Sequence, residues 1–220
     1  MKIGVLGTGA VGESIATALI NKGHSVSMGS RTGSNEKAKA WVKKAGKQAI
    51  EGTFDDAAQY GDLVFICLNG ENTLRTLKNI STQHFTNKIV IDVTNPLDFT
   101  QGMPPRIIEG LGGHTSLGEE IQKALPGAYV VKTLNTVNSN LMVDARKVNN
   151  GDHSLFVCGN DVDAKNKVKH FLVDNFHWKP DGLIDLGTIE SARAIEAIVP
   201  FWVLVYQSIG TPLFNFKIVQ

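Results

Sequence analysis

Apolar residues in this chain come in short dense runs separated by longer stretches with helical spacing. The runs fall at Ile3 to Leu6, Val26 to Gly29, around Ala49-Ile50, Leu63 to Leu68, Ile89 to Val93, Tyr129 to Leu134 and Leu155 to Cys158. Between them the spacing predicts helices over Glu36 to Ala45, Asp55 to Tyr60, Asn72 to Asn79, Ser116 to Leu125 and Asp163 to Asn175. Such alternation predicts an α/β fold with a parallel, doubly wound sheet. The runs Leu63-Val64-Phe65-Ile66-Cys67-Leu68 and Ile89-Val90-Ile91 have no polar alternation, as expected of strands covered on both faces, and so belong in the middle of that sheet.

The link between the first strand and the first helix is Gly7-Thr8-Gly9-Ala10-Val11-Gly12. A helix follows, with Val11, Ile15, Ala18 and Leu19 on one face and Gly23 as its stop. Strand, glycine loop and helix together make the Rossmann-type dinucleotide fingerprint. Gly7 permits the tight turn, Gly9 lets the backbone approach a pyrophosphate, and Gly12 lets helix pack on strand. The helix N-terminus, with free amides and the positive dipole end, receives the phosphates. At the end of the second strand an NAD enzyme carries an acidic residue for the ribose 2′-hydroxyl; here stand Ser30 and Arg31. A guanidinium forks onto a 2′-phosphate, which a carboxylate would repel, so NADP(H) is the expected cofactor. Lys37, on the following basic helix, is either a second cation for that phosphate or a solvated surface charge.

Composition narrows the remaining classes. At 220 residues the chain accommodates one dinucleotide-binding sheet and a small appendage, read as an NADP-binding domain over 1–142 and a C-terminal α/β portion over 143–220 serving the substrate pocket or dimerisation. A formal charge of +1 and no long basic tract argue against nucleic acid as a partner. The opening residues are already a core strand, and the apolar run Ala197 to Tyr206 is short and interrupted by Pro200, so a cytoplasmic protein without membrane attachment is expected. Cys67 and Cys158 sit inside apolar runs as buried thiols, and the six histidines show no metal-ligand spacing.

In open α/β sheets the ligand lies outside the carboxyl ends of the strands. What emerges there is Asn69-Gly70, Thr94-Asn95-Pro96 and Asn135-Thr136-Val137-Asn138-Ser139. All are neutral, hydrogen-bonding groups, and none is poised as acid, base or nucleophile, so no catalytic residue is assigned. An alcohol or carbonyl dehydrogenase needs a positioned proton donor or acceptor; hydride exchange between two redox cofactors needs little beyond orientation and shielding. For Asn69 and Asn138, turn closure is an equally good reading.

With GTGAVG, GHSV, GSR, IDVTNP, VVKTLNTVNSN, FVCGND and DLGTIESARAIE in view, the chain resembles, nearly end to end, the NADPH-dependent oxidoreductases of the deazaflavin coenzyme F420 family. It is also similar to the reductase domain of the six-transmembrane metalloreductases, which share the Val130-Val131-Lys132 strand and the Ser191-Ala192-Arg193 helix start. The resemblance implies a homodimeric NADP-dependent oxidoreductase that passes a hydride between NADPH and F420. It places the pyrophosphate loop on Thr8, Gly9, Ala10 and Val11, the 2′-phosphate contacts on Ser30, Arg31 and Lys37, and the nicotinamide side on Leu68, Asn95 and Ser139. The family carries Pro-Trp at Asn69-Gly70, His at Asn135 and Pro at Asn138. Asn69 and Asn135 therefore border a second substrate that is a deazaflavin, a flavin or another acceptor such as a ferric chelate. A non-catalytic, redox-sensing NADPH-binding module is the rival reading.

Toward the C-terminus, Asp161 and Asp163 read as helix-start charges. Arg193 has Glu190 and Glu196 three residues away on either side, and an ion pair with one of them is expected. Phe201, Trp202, Tyr206, Phe214 and Phe216 concentrate enough aromatic surface for a dimer interface or a flat wall against a ring system. His24 reads as a structural residue in a turn, and His114 as a loop residue near the pocket.

Overall fold

A computed structural model describes residues 1–219, which leaves Gln220, the last residue of the expected C-terminal portion, outside it. Eight strands form one sheet: β1 (Lys2–Leu6), β2 (Ser25–Ser30), β3 (Ala49–Thr53), β4 (Leu63–Ile66), β5 (Ile89–Asp92), β8 (Tyr129–Thr133), β9 (Leu155–Gly159) and β10 (Leu183–Asp185). The order across it is β10-β9-β8-β5-β4-β1-β2-β3. Two further strands, β6 (Leu97–Asp98) and β7 (Arg106–Ile107), pair as a separate antiparallel hairpin. The helices are α1 (Ala10–Asn21), α2 (Glu36–Ala45), α3 (Phe54–Tyr60), α4 (Gly70–Leu77), α5 (Leu117–Ala124), α6 (Ser139–Met142), α7 (Val162–Phe176), α8 (Ala192–Ala197) and α9 (Val199–Ile209).

Six strands, β1 to β5 and β8, are parallel, and the strand order reverses between β1 and β4, where a doubly wound sheet opens its ligand crevice. The doubly wound, mostly parallel sheet expected from the sequence carries one antiparallel pairing at its edge. β9 runs antiparallel to β8, with Val131 opposite Gly159, and β10 then follows parallel to β9. The short elements between β8 and β9 include α6 and two 3-10 turns, and no helix long enough for a crossover back to the other end of the sheet. The runs predicted through Leu68 and Val93 also end early, at Ile66 and Asp92, so their last residues emerge as loop at the crevice.

Side chains of the central strands divide between two cores. One side buries Ile3, Val5, Phe65 and Ile91 under α1, α2 and α7, with Trp41, Phe176 and Trp178 filling it. The other buries Leu6, Val64, Ile66 and Val90 under α3, α4, α5 and α8. Burial on both faces explains why β4 and β5 read as unbroken apolar runs. The aromatic cluster at the end of the chain is self-contained: residues after α9 fold back so that Phe214 stacks on Trp202 at 4.9 Å and Phe216 on Phe201 at 5.7 Å. Ser154 N donates to Phe216 O at 2.9 Å, which ties this tail to the start of β9.

Candidate functional site

The glycine loop does what the fingerprint requires, and its three glycines divide the work. Gly7 has φ +133°, a region that favours glycine, and a Cβ there would collide with the carbonyl of Cys67. A Cβ on Gly12 would strike the carbonyl of Gly7, so α1 packs on β1 only without one. At Gly9 a Cβ would meet nothing within 4 Å. Gly7 and Gly12 therefore serve the protein's own packing, whereas Gly9 leaves open space above the loop. Gly9 is also the N-cap of α1, which receives no side-chain cap. By contrast Asn35, Thr53, Asn69, Ser116 and Asp161 cap α2, α3, α4, α5 and α7 with side-chain oxygens. An open cradle over uncapped helix amides fits a dinucleotide pyrophosphate.

Arg31 leaves the end of β2 and lines a cavity of about 660 Å³ together with Thr53, Phe54, Asp55, Arg75 and Ile80. Ser30 is buried, and its hydroxyl donates to Thr32 O at 2.6 Å, so it shapes the turn that carries Arg31. Lys37 lies on the first turn of α2, exposed, and does not line this cavity. Arg75 went unread in the sequence; a basic residue on the helix after the fourth strand was its only signal.

Leu68, Asn69 and Asn95 come together around a second cavity of about 200 Å³, with Val11 and Cys67 at its base and Leu97 and Phe99 of the β6–β7 hairpin on its flank. Gly70 is required for this approach, because a Cβ would collide with the carbonyl of Asn95. Ser139 and Ala10 line an adjoining groove between α1 and α6. Asn69 and Asn138 act as N-caps, accepting from the amides of Glu71 and Asn140, both at 2.9 Å. Burial, with the Asp92 carboxylate adding to it, pushes the Cys67 thiol upward, so it stays protonated. Cys158 is likewise pushed up to about 12 by burial. His114 is exposed in its loop and lines neither cavity.

A family model for coenzyme F420-dependent NADP oxidoreductases matches residues 2–96. The chain is 35% identical to the F420-dependent NADP reductase of Methanocaldococcus jannaschii across 96% of both sequences. The chain belongs to the coenzyme F420-dependent NADP oxidoreductase family. A solved structure from Arthrobacter sp. FB24, provisionally described as an F420-dependent NADP-reductase, superposes with a TM-score of 0.91 at 40% identity over the full length of both chains. The metalloreductase STEAP3 of Rattus norvegicus is 28% identical over 91% of this chain, which spans 38% of that protein. Membership makes this chain an NADP-dependent oxidoreductase with a Rossmann-type fold. Among the described residues, no helix is long and apolar enough to cross a membrane.

The amides at the strand ends are not independent groups. Asn95 Nδ2 donates to Asn135 O at 2.8 Å, and Asn135 Nδ2 donates back to Asn95 Oδ1 at 2.9 Å and on to Ile195 O of α8 at 3.0 Å. Both donors of the buried Asn135 are thereby used within the protein. Asn135 orients Asn95 and ties the rim to α8, which the sequence alone did not reveal.

Beneath the rim lies a charge cluster of which sequence reasoning saw only the individual members. Sheet register sets Lys132 directly beside Asp92. Lys132 Nζ is fully buried and donates to Asp92 Oδ2 at 2.8 Å, to Thr94 O at 2.7 Å and to Glu196 Oε1 at 2.7 Å. Glu196 also accepts from the amides of Leu117 and Gly118, both at 2.9 Å, and so caps α5 from α8. Burial alone would lower the Lys132 pKa, but the two carboxylates outweigh it and hold the ammonium above its ordinary value. Arg193, expected to pair with Glu190 or Glu196, instead forks onto Glu119 at 2.8 and 2.6 Å. Glu196 points into the interior toward Lys132, so the nearby residue in sequence is not the partner in space.

Proposed function

We propose that this protein passes a hydride between NADPH and a deazaflavin or flavin-type acceptor. The observation that carries the reading is the cavity at the strand ends, whose only titratable lining group is a thiol held protonated. Reduction of a carbonyl calls for a proton donor at such a place, whereas reduction of a redox ring takes its proton from solvent and asks the protein only for alignment. NADPH, when bound, supplies the two electrons as hydride. The residues of this chain do the holding: Thr8 to Val11 at the pyrophosphate, Arg31 at the 2′-phosphate on the turn that Ser30 shapes, and Leu68, Asn95 and Ser139 at the nicotinamide. Asn69 borders the acceptor, Asn135 holds Asn95 in place from behind the rim, and Leu97 and Phe99 exclude water from one side. The full-length likeness to an F420-dependent NADP reductase supports F420 as the first acceptor to test.

The reading extends to a homodimer. α9 carries no charged residue, and Phe201, Leu204 and Ile209 on it are each about half exposed. Trp202 Nε1, buried without a hydrogen-bond partner among the described residues, lies on the same helix. An uncharged helix with this exposure suits contact with a second copy.

Steady-state NADPH oxidation with F420, FMN, FAD and ferric chelates in turn tests the proposal. Turnover is expected with a deazaflavin or flavin. Tight NADPH binding with no turnover on any acceptor would overturn it in favour of a redox-sensing module.

A further inference from the structure

The cavity beside Arg31 contains a second guanidinium that the phosphate does not require. Arg75 enters it from the last turn of α4 and Arg31 from the end of β2, so the two reach the space from different elements. Among the described residues, neither has a carboxylate partner; the only side-chain partner of Arg75 is Asn72, one turn back on its own helix. Asp55, which also lines the cavity, is engaged by Ser81 N at 2.9 Å and His84 Nε2 at 3.1 Å. Phe54 and Ile80 supply apolar floor.

We propose that Arg75 is an adenine-reading residue, laying its planar guanidinium on the purine face. The inference rests on the NADP(H) reading of Arg31. In the adenosine 2′-phosphate moiety the purine is attached to C1′, next to the carbon that carries the phosphate. A phosphate held at Arg31 therefore delivers the ring into the cavity Arg31 borders. A delocalised guanidinium stacks on an aromatic face where a compact ammonium does not. An apolar floor with polar groups around it matches a flat heterocycle with a hydrogen-bonding edge.

The test is equilibrium binding, measured by calorimetry on the full chain, of NADPH, NADH, 2′,5′-ADP, ADP-ribose and reduced nicotinamide mononucleotide. Arg75→Ala is a mild change on an exposed helix position and is checked by thermal melting. It should weaken NADPH, 2′,5′-ADP and ADP-ribose alike, by about tenfold. It should leave the mononucleotide unchanged, because that ligand has no adenine. Arg75→Lys should fail to rescue, since it restores charge without the planar face. Arg31→Ala should weaken only the ligands that carry the 2′-phosphate. Loss confined to 2′-phosphate ligands in Arg75→Ala, or full rescue by Arg75→Lys, would make Arg75 a phosphate cation and overturn the proposal; so would no loss at all. Wild-type protein that binds NADPH no more tightly than NADH would instead overturn the NADP reading of Arg31, a separate outcome.

Discussion

The two halves of the sheet treat positive charge in opposite ways. On the β1–β3 side, Arg31 and Arg75 border an open cavity with no carboxylate partner among the described residues. On the β5–β8 side, Lys132 is sealed from solvent and bonded to three oxygens. The contrast separates charges left open to a ligand from charges that hold the protein together. A buried ammonium is tolerable only with its counter-charges in place, whereas a solvated guanidinium keeps its hydration until an anion or a ring displaces it. Residue type alone does not make this distinction, because Lys132 and Arg31 both stand at or near the carboxyl ends of strands.

The contrast breaks most visibly at Lys132. Lys132→Met strands Asp92 and Glu196 in the interior and should cost about 3–5 kcal/mol of folding stability by urea denaturation. Adding Asp92→Asn to Lys132→Met should restore part of that loss, which a simple packing defect would not allow. Arg31→Ala belongs to the other class: stability should be unchanged, while NADPH affinity drops by about 1.5–3 kcal/mol and NADH affinity hardly at all. Equal losses for both cofactors would refute the phosphate role.

Arg193 falls between the two classes, half exposed itself but forked onto the buried Glu119. Arg193→Ala should lower stability by less than the loss of a fully buried pair, because solvent screens the guanidinium. The hydrogen bond from Arg193, together with that from Ser116, outweighs burial and holds the Glu119 carboxyl below its ordinary value near 4.5. Its stabilising contribution is therefore complete above that pH and is lost as pH falls through the lowered native value. Denaturation curves at neutral and acid pH should show this acid-dependent loss shrinking in Arg193→Ala. The smallest effect belongs to Lys37→Ala: an exposed lysine outside the Arg31 cavity should change NADPH affinity by under about 0.5 kcal/mol. A larger, salt-sensitive loss would move Lys37 into the ligand-binding class with Arg31.

Local patterns were legible wherever a short stretch of chain settles its own conformation. The helix Glu36–Ala45 was read with the bounds it has, since Asn35 caps one end and Gly46 ends the other. The hairpin of β6 and β7 was missed because two-residue strands have too little alternation to register. The direction of β9 is not legible in sequence, because an apolar run reads the same in either sense. Spacing of three points Arg193 to a partner on its own helix, whereas its partner Glu119 lies 74 residues away.

The glycine loop, the Ser30-Arg31 pair and the neutral residues that follow β4, β5 and β8 are properties of contiguous residues, and the sequence by itself determined them. From these follow the cofactor class and the sparse chemistry. Tertiary structure alone decided which amides face each other, which cation is buried and which cavity a second arginine enters. Asn95 meets Asn135 across adjacent strands, and Lys132 meets Glu196 across the body of the protein. Such pairings depend on sheet register and helix docking, which the packing of the whole core sets and no local segment encodes.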